Sequence, residues 1–156
     1  MTERDLAQLI DEYRAGLDAE IVILRRLEQT AARQREATAA HDLTALHAAA
    51  DERDALMAAL VAIESRLRDV RPTLSQSRER ARRLPGYKEA ADLHHEAVAL
   101  VTRILKTDAE SVEALAAAEL ARRDQARAME QGETTLAAYR RVMAAPPGAT
   151  LVDRRG

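Results

Sequence analysis

The chain has 156 residues, enough for a domain with its own core, and 47% of them are hydrophobic although there is no Phe, no Trp and only three Tyr. Its 24 basic and 26 acidic residues leave a net charge of −2, which gives no overall attraction to nucleic acid or anionic lipid. The absence of Cys excludes disulfides, thiolate zinc sites and thiol nucleophiles. Apolar content dominated by Ala and Leu predicts an all-α fold of long, coiled-coil-like helices.

The first predicted helix covers residues 3–40, with Thr2 as its N-cap. Apolar residues recur along it at spacings of three and four, which keeps them on one face. Glu20 interrupts this stripe. We interpret it as a carboxylate at the edge of the seam, paired with an Arg of a facing helix, because no second acid, His or nucleophile lies near it in the sequence. The stripe consists of Leu6, Ile10, Tyr13, Leu17, Ile21, Leu24, Leu27 and Ala31.

The second predicted helix covers residues 43–70 and begins after Asp42, a good N-cap. So short a break predicts an antiparallel helical hairpin. We expect Pro72 to end or kink this helix, because proline lacks an N–H group and disfavours helix at the residue before it. The stripe consists of Leu43, Leu46, Ala50, Leu56, Met57, Leu60, Ile63, Leu67 and Val70.

The polar segment 73–84 predicts weak helix and carries four arginines, Arg78, Arg80, Arg82 and Arg83. We interpret this basic patch as a solvated connector rather than a contact for nucleic acid or an acidic partner. No aromatic side chains are interleaved for base stacking, so we expect no nucleic-acid partner.

The third predicted helix covers residues 87–145 and follows the turn signal Pro85-Gly86. Residues 107–110 match a capping box, which would start a new helix, but the heptad register continues through them and favours one continuous or slightly kinked helix. With the hairpin, this makes an elongated three-helix bundle. We place the seam of its first half on the heptad positions Tyr87, His94, Val98, Val101, Leu105, Asp108 and Val112.

The two shorter helices can cover only the first half of the third, so its second half is predicted to expose a sparse apolar face to a partner helix. Pro146-Pro147-Gly148 ends the helix, so we expect one helical domain over residues 1–145 and a flexible tail over residues 146–156. The candidate contacts are Leu115, Leu120, Met129, Leu136, Tyr139 and Met143.

No pattern for catalysis or cofactor binding is found in the sequence. His94 and His95 are adjacent and point about 100° apart on a helix, so they do not predict a metal site. No Gly-rich phosphate loop or nucleophile elbow is present, and we expect neither an enzyme nor a cofactor. The polar N-terminus does not predict a signal peptide, and no apolar run reaches the roughly 20 residues of a membrane helix. We therefore expect a cytoplasmic protein without membrane insertion.

Three blocks of the sequence resemble the FlgN family of flagellar type III export chaperones. The first is Leu17-Asp18-Ala19-Glu20, a Glu within a Leu-rich leading helix. The second, residues 51–60, resembles the acidic, basic and then Leu-rich second helix of the family. The third is the end of the chain, where a long polar helix and prolines are followed by residues 150–156. The resemblance extends over nearly the whole chain.

The resemblance implies a helical, non-enzymatic chaperone of the cytosol. Such proteins bind the C-terminal helical segment of hook-associated proteins (FlgK and FlgL type), prevent premature assembly and deliver them to the export gate. It also implies that Leu151, Val152 and Asp153 dock to a gate component. Family members can carry a Tyr in this tail, and Val152 occupies the closest position here. The alternative is a structural coiled-coil adaptor that self-associates, so both a monomer and a homodimer are compatible with the sequence.

Overall fold

The computed structural model describes residues 1–144 and contains five helices and no strand within them, which confirms the predicted all-α fold. The chain divides into two compact units, Met1–Ala114 and Leu115–Gly156, which are described separately. The helices are α1 (Glu3–Ala39), α2 (Leu43–Leu67), α3 (Val70–Gln76), α4 (Arg78–Ala81) and α5 (Tyr87–Ala144).

The predicted hairpin of α1 and α2 is present, and both of its helices begin at a side-chain N-cap. Thr2 and Asp5 form a reciprocal capping box at the start of α1, and the Asp42 carboxylate accepts a hydrogen bond of 3.0 Å from the Ala45 amide at the start of α2. The Arg33–Glu52 ion pair, at 2.5 Å, connects the two helices near the turn. The Gly16 backbone contacts the Leu67 side chain at the far end, so the helices run antiparallel.

The connection between the hairpin and α5 is more helical than the sequence indicates. Helix α2 already ends at Leu67, and Pro72 lies in the first turn of α3, where its missing N–H group would have no helical partner in any case. Apolar side chains of α1, α3 and α4 form a second core with the start of α5, which fixes these short helices against the bundle. This core contains Leu6, Ile10, Val70, Leu74 and Ala81.

Within the first unit, α5 runs parallel to α1. Arg103 Nε donates to Glu28 at 3.1 Å and Arg35 to Glu110 at 2.6 Å, pairs that advance along both helices in the same direction. The main core lies between α1, α2 and α5, and the three helices therefore form the predicted bundle. Its buried residues are Ile21, Leu24, Leu27, Ala31, Leu56, Ala97, Leu100 and Ile104.

The heptad seam predicted for α5 is wrong in phase. The buried face carries Ala90, Ala97, Leu100, Ile104 and Ser111, because small side chains there allow the helices to approach closely. The larger apolar residues assigned to the seam lie on the exposed surface instead. They are Val98, Val101, Leu105 and Val112.

The stripe predicted for α2 is likewise correct only in part. Leu56, Ile63 and Leu67 are buried as expected, whereas Leu43 and Met57 are exposed. The α2 helix packs through a narrow face in which Ala49 is buried beside Leu56, so a broad apolar stripe does not imply a broad contact.

Helix α5 continues through residues 107–110, as the heptad register predicts. The Thr107 hydroxyl donates to the carbonyl oxygen of Arg103 at 3.1 Å, one turn back, and does not cap a new helix. The Asp108 carboxylate accepts two hydrogen bonds from the Arg53 guanidinium, at 2.7 and 2.5 Å. This bidentate pair joins α2 to α5 at the position where the sequence suggested a break.

The two glycines inside long helices have opposite surroundings and predict opposite effects of an added methyl group. Gly132→Ala is expected to stabilise the helix by about 1 kcal/mol, because nothing lies near the new Cβ and Ala favours helix. Gly16→Ala is expected to lower the free energy of unfolding by about 1 kcal/mol, since its Cβ would come within 2.6 Å of the buried Leu67 side chain. Thermal unfolding followed by circular dichroism measures both. Equal gains from the two variants would contradict the close packing of α1 on α2.

Candidate functional site

The second unit is described over residues 115–144 as one helix whose apolar side chains are almost all exposed. Leu115, Met129, Leu136 and Met143 are spaced by multiples of seven, so they lie within an arc of about 80° on the helix surface. Their side chains are 52% to 86% exposed. Tyr139, also exposed, follows Leu136 by three residues and widens this stripe. We call these five residues the apolar stripe.

Leu120 does not belong to the apolar stripe, although the sequence grouped it there. It follows Leu115 by five residues and therefore points about 140° away around the helix. Its side chain is exposed on a different face. The predicted docking residues Leu151, Val152 and Asp153 lie outside the described residues.

Charged residues interrupt the apolar stripe. Arg122 lies seven residues after Leu115, and Glu133 and Arg140 lie 18 and 25 residues after it, so all three fall within about 20° of Leu115 around the helix and polar groups alternate with apolar ones along the same face. Arg122 donates two hydrogen bonds to Glu119, at 3.1 and 2.9 Å, and these bonds lower the pKa of the Glu119 carboxyl. Such pairs within one helix favour its helical state before any partner binds. The apolar stripe is therefore a preformed contact surface, but it is narrow and interrupted by charged side chains.

A different polar cluster lies around one buried carboxyl group, Glu20, in the first unit. Glu20 of α1 is 3% exposed, and its carboxylate lies 3.6 Å from the Arg71 guanidinium. Arg71 also donates to both oxygens of Glu64, with one bond of 2.9 Å. An Arg partner for Glu20 was expected, but the second acid was missed because Glu64 lies on the next helix. Glu64 precedes Arg71 by seven residues, but the two lie on different helices, α2 and α3, so helical spacing gave no signal for this pair.

Of the two carboxyl groups in this cluster, only one carries a negative charge near neutral pH. Burial, followed by the hydrogen bond to Glu64, raises the pKa of Glu20 to about 8, so Glu20 keeps its proton near neutral pH. Hydrogen bonds from Arg71 lower the pKa of Glu64, which holds the charge. The Oε1 atom of Glu20 is buried without a hydrogen-bond partner among the described residues. The raised pKa of Glu20 therefore couples the stability of the first unit to pH.

Two further observations concern residues 1–144. No group of three His, Asp or Glu side chains in this range comes together in a way that could hold a metal ion. None of the helices described combines the length and apolar character needed to cross a membrane.

Comparisons with protein-family models, with curated proteins and with solved structures find no match to this chain.

Proposed function

We propose that this protein is a non-enzymatic export chaperone that binds an amphipathic helix on the apolar stripe of residues 115–144. The observation that supports this most is the stripe itself, a preformed helix with Met129, Leu136, Tyr139 and Met143 exposed on one side. Met and Tyr adapt to different partner side chains and are frequent at helix-binding surfaces. The resemblance to the FlgN family suggests the partner, the C-terminal helical segment of a hook-associated protein.

The alternation of apolar and charged residues favours a partner that is bound and then released. A stripe that carries Arg122, Glu133 and Arg140 between its apolar residues buries less apolar area per turn than a permanent coiled-coil seam. An export chaperone needs a complex of this kind, because its cargo must leave at the export gate. Docking through Leu151, Val152 and Asp153 is part of the same proposal.

Binding to the C-terminal segment of a hook-associated protein tests the proposal. The double variant Leu136→Asp with Met143→Asp is expected to weaken binding at least about a hundredfold, because two charges would enter the apolar contact. Leu120→Asp is the control for each of the two changes, since it likewise replaces a large apolar residue by Asp in the same helix but on another face. Co-purification and titration calorimetry measure both. Unchanged binding by the double variant, with helix content retained, would refute the proposed surface.

The second candidate function is a coiled-coil adaptor that self-associates in the cytoplasm. It is favoured by the exposed residues Val98, Val101, Leu105 and Val112 of the first unit, whose heptad-like spacing is typical of a coiled-coil seam. Light scattering without any partner distinguishes the candidates: a tight dimer at micromolar concentration favours the adaptor, and a monomer favours the chaperone.

A further inference from the structure

A pocket of about 380 Å³ lies in the first unit between α1, α3, α4 and the start of α5. This volume is within the range of small-molecule sites in proteins. Its apolar wall is formed by Ile10 and Leu74, together with the small side chains of Ala90 and Ala91, which leave the space open. The residues that line it all belong to Met1–Ala114, so the pocket is complete within one unit.

The pocket concentrates residue types that are scarce elsewhere in the chain. The sequence has three Tyr, no Phe and no Trp, yet both Tyr13 and Tyr87 line this pocket. Two of the four His, His94 and His95, line it as well. Aromatic rings are not needed to fill the main core, which is built from Leu, Ile and Ala. Their placement here gives flat apolar faces with hydroxyl groups at the edge.

The charge of the pocket is positive. No Asp or Glu is among its lining residues, and the charge of Arg71 is offset by its hydrogen bonds to Glu64. The Arg78 guanidinium forms no ion pair or hydrogen bond with any side chain described. It is therefore available to an anion at the rim.

Further polar groups of the lining remain available to a ligand. The Nδ1–H group of His95 donates a hydrogen bond of 2.7 Å to the carbonyl oxygen of Ala91, and its Nε2 atom has no hydrogen-bond partner within residues 1–144. Ser75, which carries a hydroxyl group, also lines the pocket. The Tyr13 hydroxyl lies 3.4 Å from Nδ1 of His94, a long hydrogen bond that a better acceptor can replace.

We propose that this pocket binds a small organic anion with an aromatic ring, such as an aryl phosphate or aryl carboxylate. The ring lies against Tyr13, Tyr87 and the alanine wall, and the anionic group faces Arg78. The pocket volume of about 380 Å³ is sufficient for one ring with its substituent. This assigns part of the basic patch of residues 78–83 to ligand binding rather than to a solvated connector, and it is independent of the apolar stripe.

Titration of the full-length protein with phenyl phosphate and with benzoate, followed by amide NMR spectra, tests the proposal. We expect saturable shifts confined to residues near Tyr13, Arg71–Arg78 and Tyr87–His95. Inorganic phosphate, which lacks the ring, and benzyl alcohol, which lacks the charge, should each bind at least about tenfold more weakly.

Three variants separate this site from general surface binding. Arg78→Gln is expected to raise the Kd for phenyl phosphate about tenfold, because a charged contact is lost. Arg83→Gln, a matched change in the same basic patch outside the pocket, should alter the Kd less than about twofold. Ala91→Leu fills the space and should abolish binding while a helical spectrum is retained. Equal weakening by the two arginine variants, or binding of inorganic phosphate as tight as that of phenyl phosphate, would overturn the proposal.

Discussion

Leu100→Ala is expected to lower the free energy of unfolding of the first unit by about 2–5 kcal/mol. Leu100 is 2% exposed and packs in the main core between α1, α2 and α5, so its truncation removes buried methyl groups and leaves a cavity. A domain of this size is stable by roughly 5–15 kcal/mol, and the loss would therefore be a large part of the total. Urea unfolding followed by circular dichroism measures it.

Leu105→Ala is the matched control for this change. Both positions lie in α5 and exchange Leu for Ala, so the helix propensity changes equally and the difference reports burial alone. Leu105 is 62% exposed, and its truncation should alter stability by less than about 0.5 kcal/mol. Equal losses at both positions in dilute protein would contradict the buried face of α5. A loss at Leu105 that grows with protein concentration would instead support self-association.

Leu100 and Leu105 also show which part of the fold the sequence predicts and which part it does not. Local sequence patterns were sufficient to predict where the first two helices begin and which face of α1 is buried. Thr2 and Asp42 cap α1 and α2 as expected, and the apolar face of α1 is buried as expected. The phase of α5 could not be predicted in the same way, because the helix has two heptad-spaced faces. Its larger residues, such as Val101 and Leu105, lie on the exposed one. Close approach of the helices selected the face with Ala90 and Ala97, a property of three-dimensional packing that periodicity does not contain.

The sequence likewise predicts only part of the candidate sites. Heptad spacing alone groups Leu115, Met129, Leu136 and Met143 on one side of a helix, whereas Leu120 was included for its hydrophobicity and lies on another face. The pocket lined by Tyr13 and Tyr87 could not be derived from the sequence, because it combines residues of four helices. The same holds for the Glu20–Glu64 carboxyl pair, which together with Arg71 involves three helices.

Glu20→Gln is expected to stabilise the first unit by about 2–4 kcal/mol at pH 8 and to have little effect at pH 5. In the folded protein the pKa of Glu20 is raised from 4.5 to about 8, chiefly by burial. The folded state therefore holds a proton that the unfolded state releases above pH 4.5, and the contribution of Glu20 to stability falls as the pH rises from about 4.5 to 8. Gln stays neutral throughout and can donate to Glu64 as the protonated acid does.

Thermal unfolding of both proteins between pH 5 and pH 9 measures this difference, and the titration of all other carboxyl groups cancels in the comparison. Glu64 titrates in the opposite sense, because Arg71 lowers its pKa. Its stabilising contribution is lost only as the pH falls below about 4.5, so Glu64 is ionised in both proteins throughout the range from pH 5 to pH 9. Glu36→Gln, on the exposed surface of α1, is the matched control and should leave the pH dependence unchanged. If Glu20→Gln lowered stability at pH 8, the buried carboxyl would have to be ionised and held by Arg71, and the proton assigned to it would be wrong.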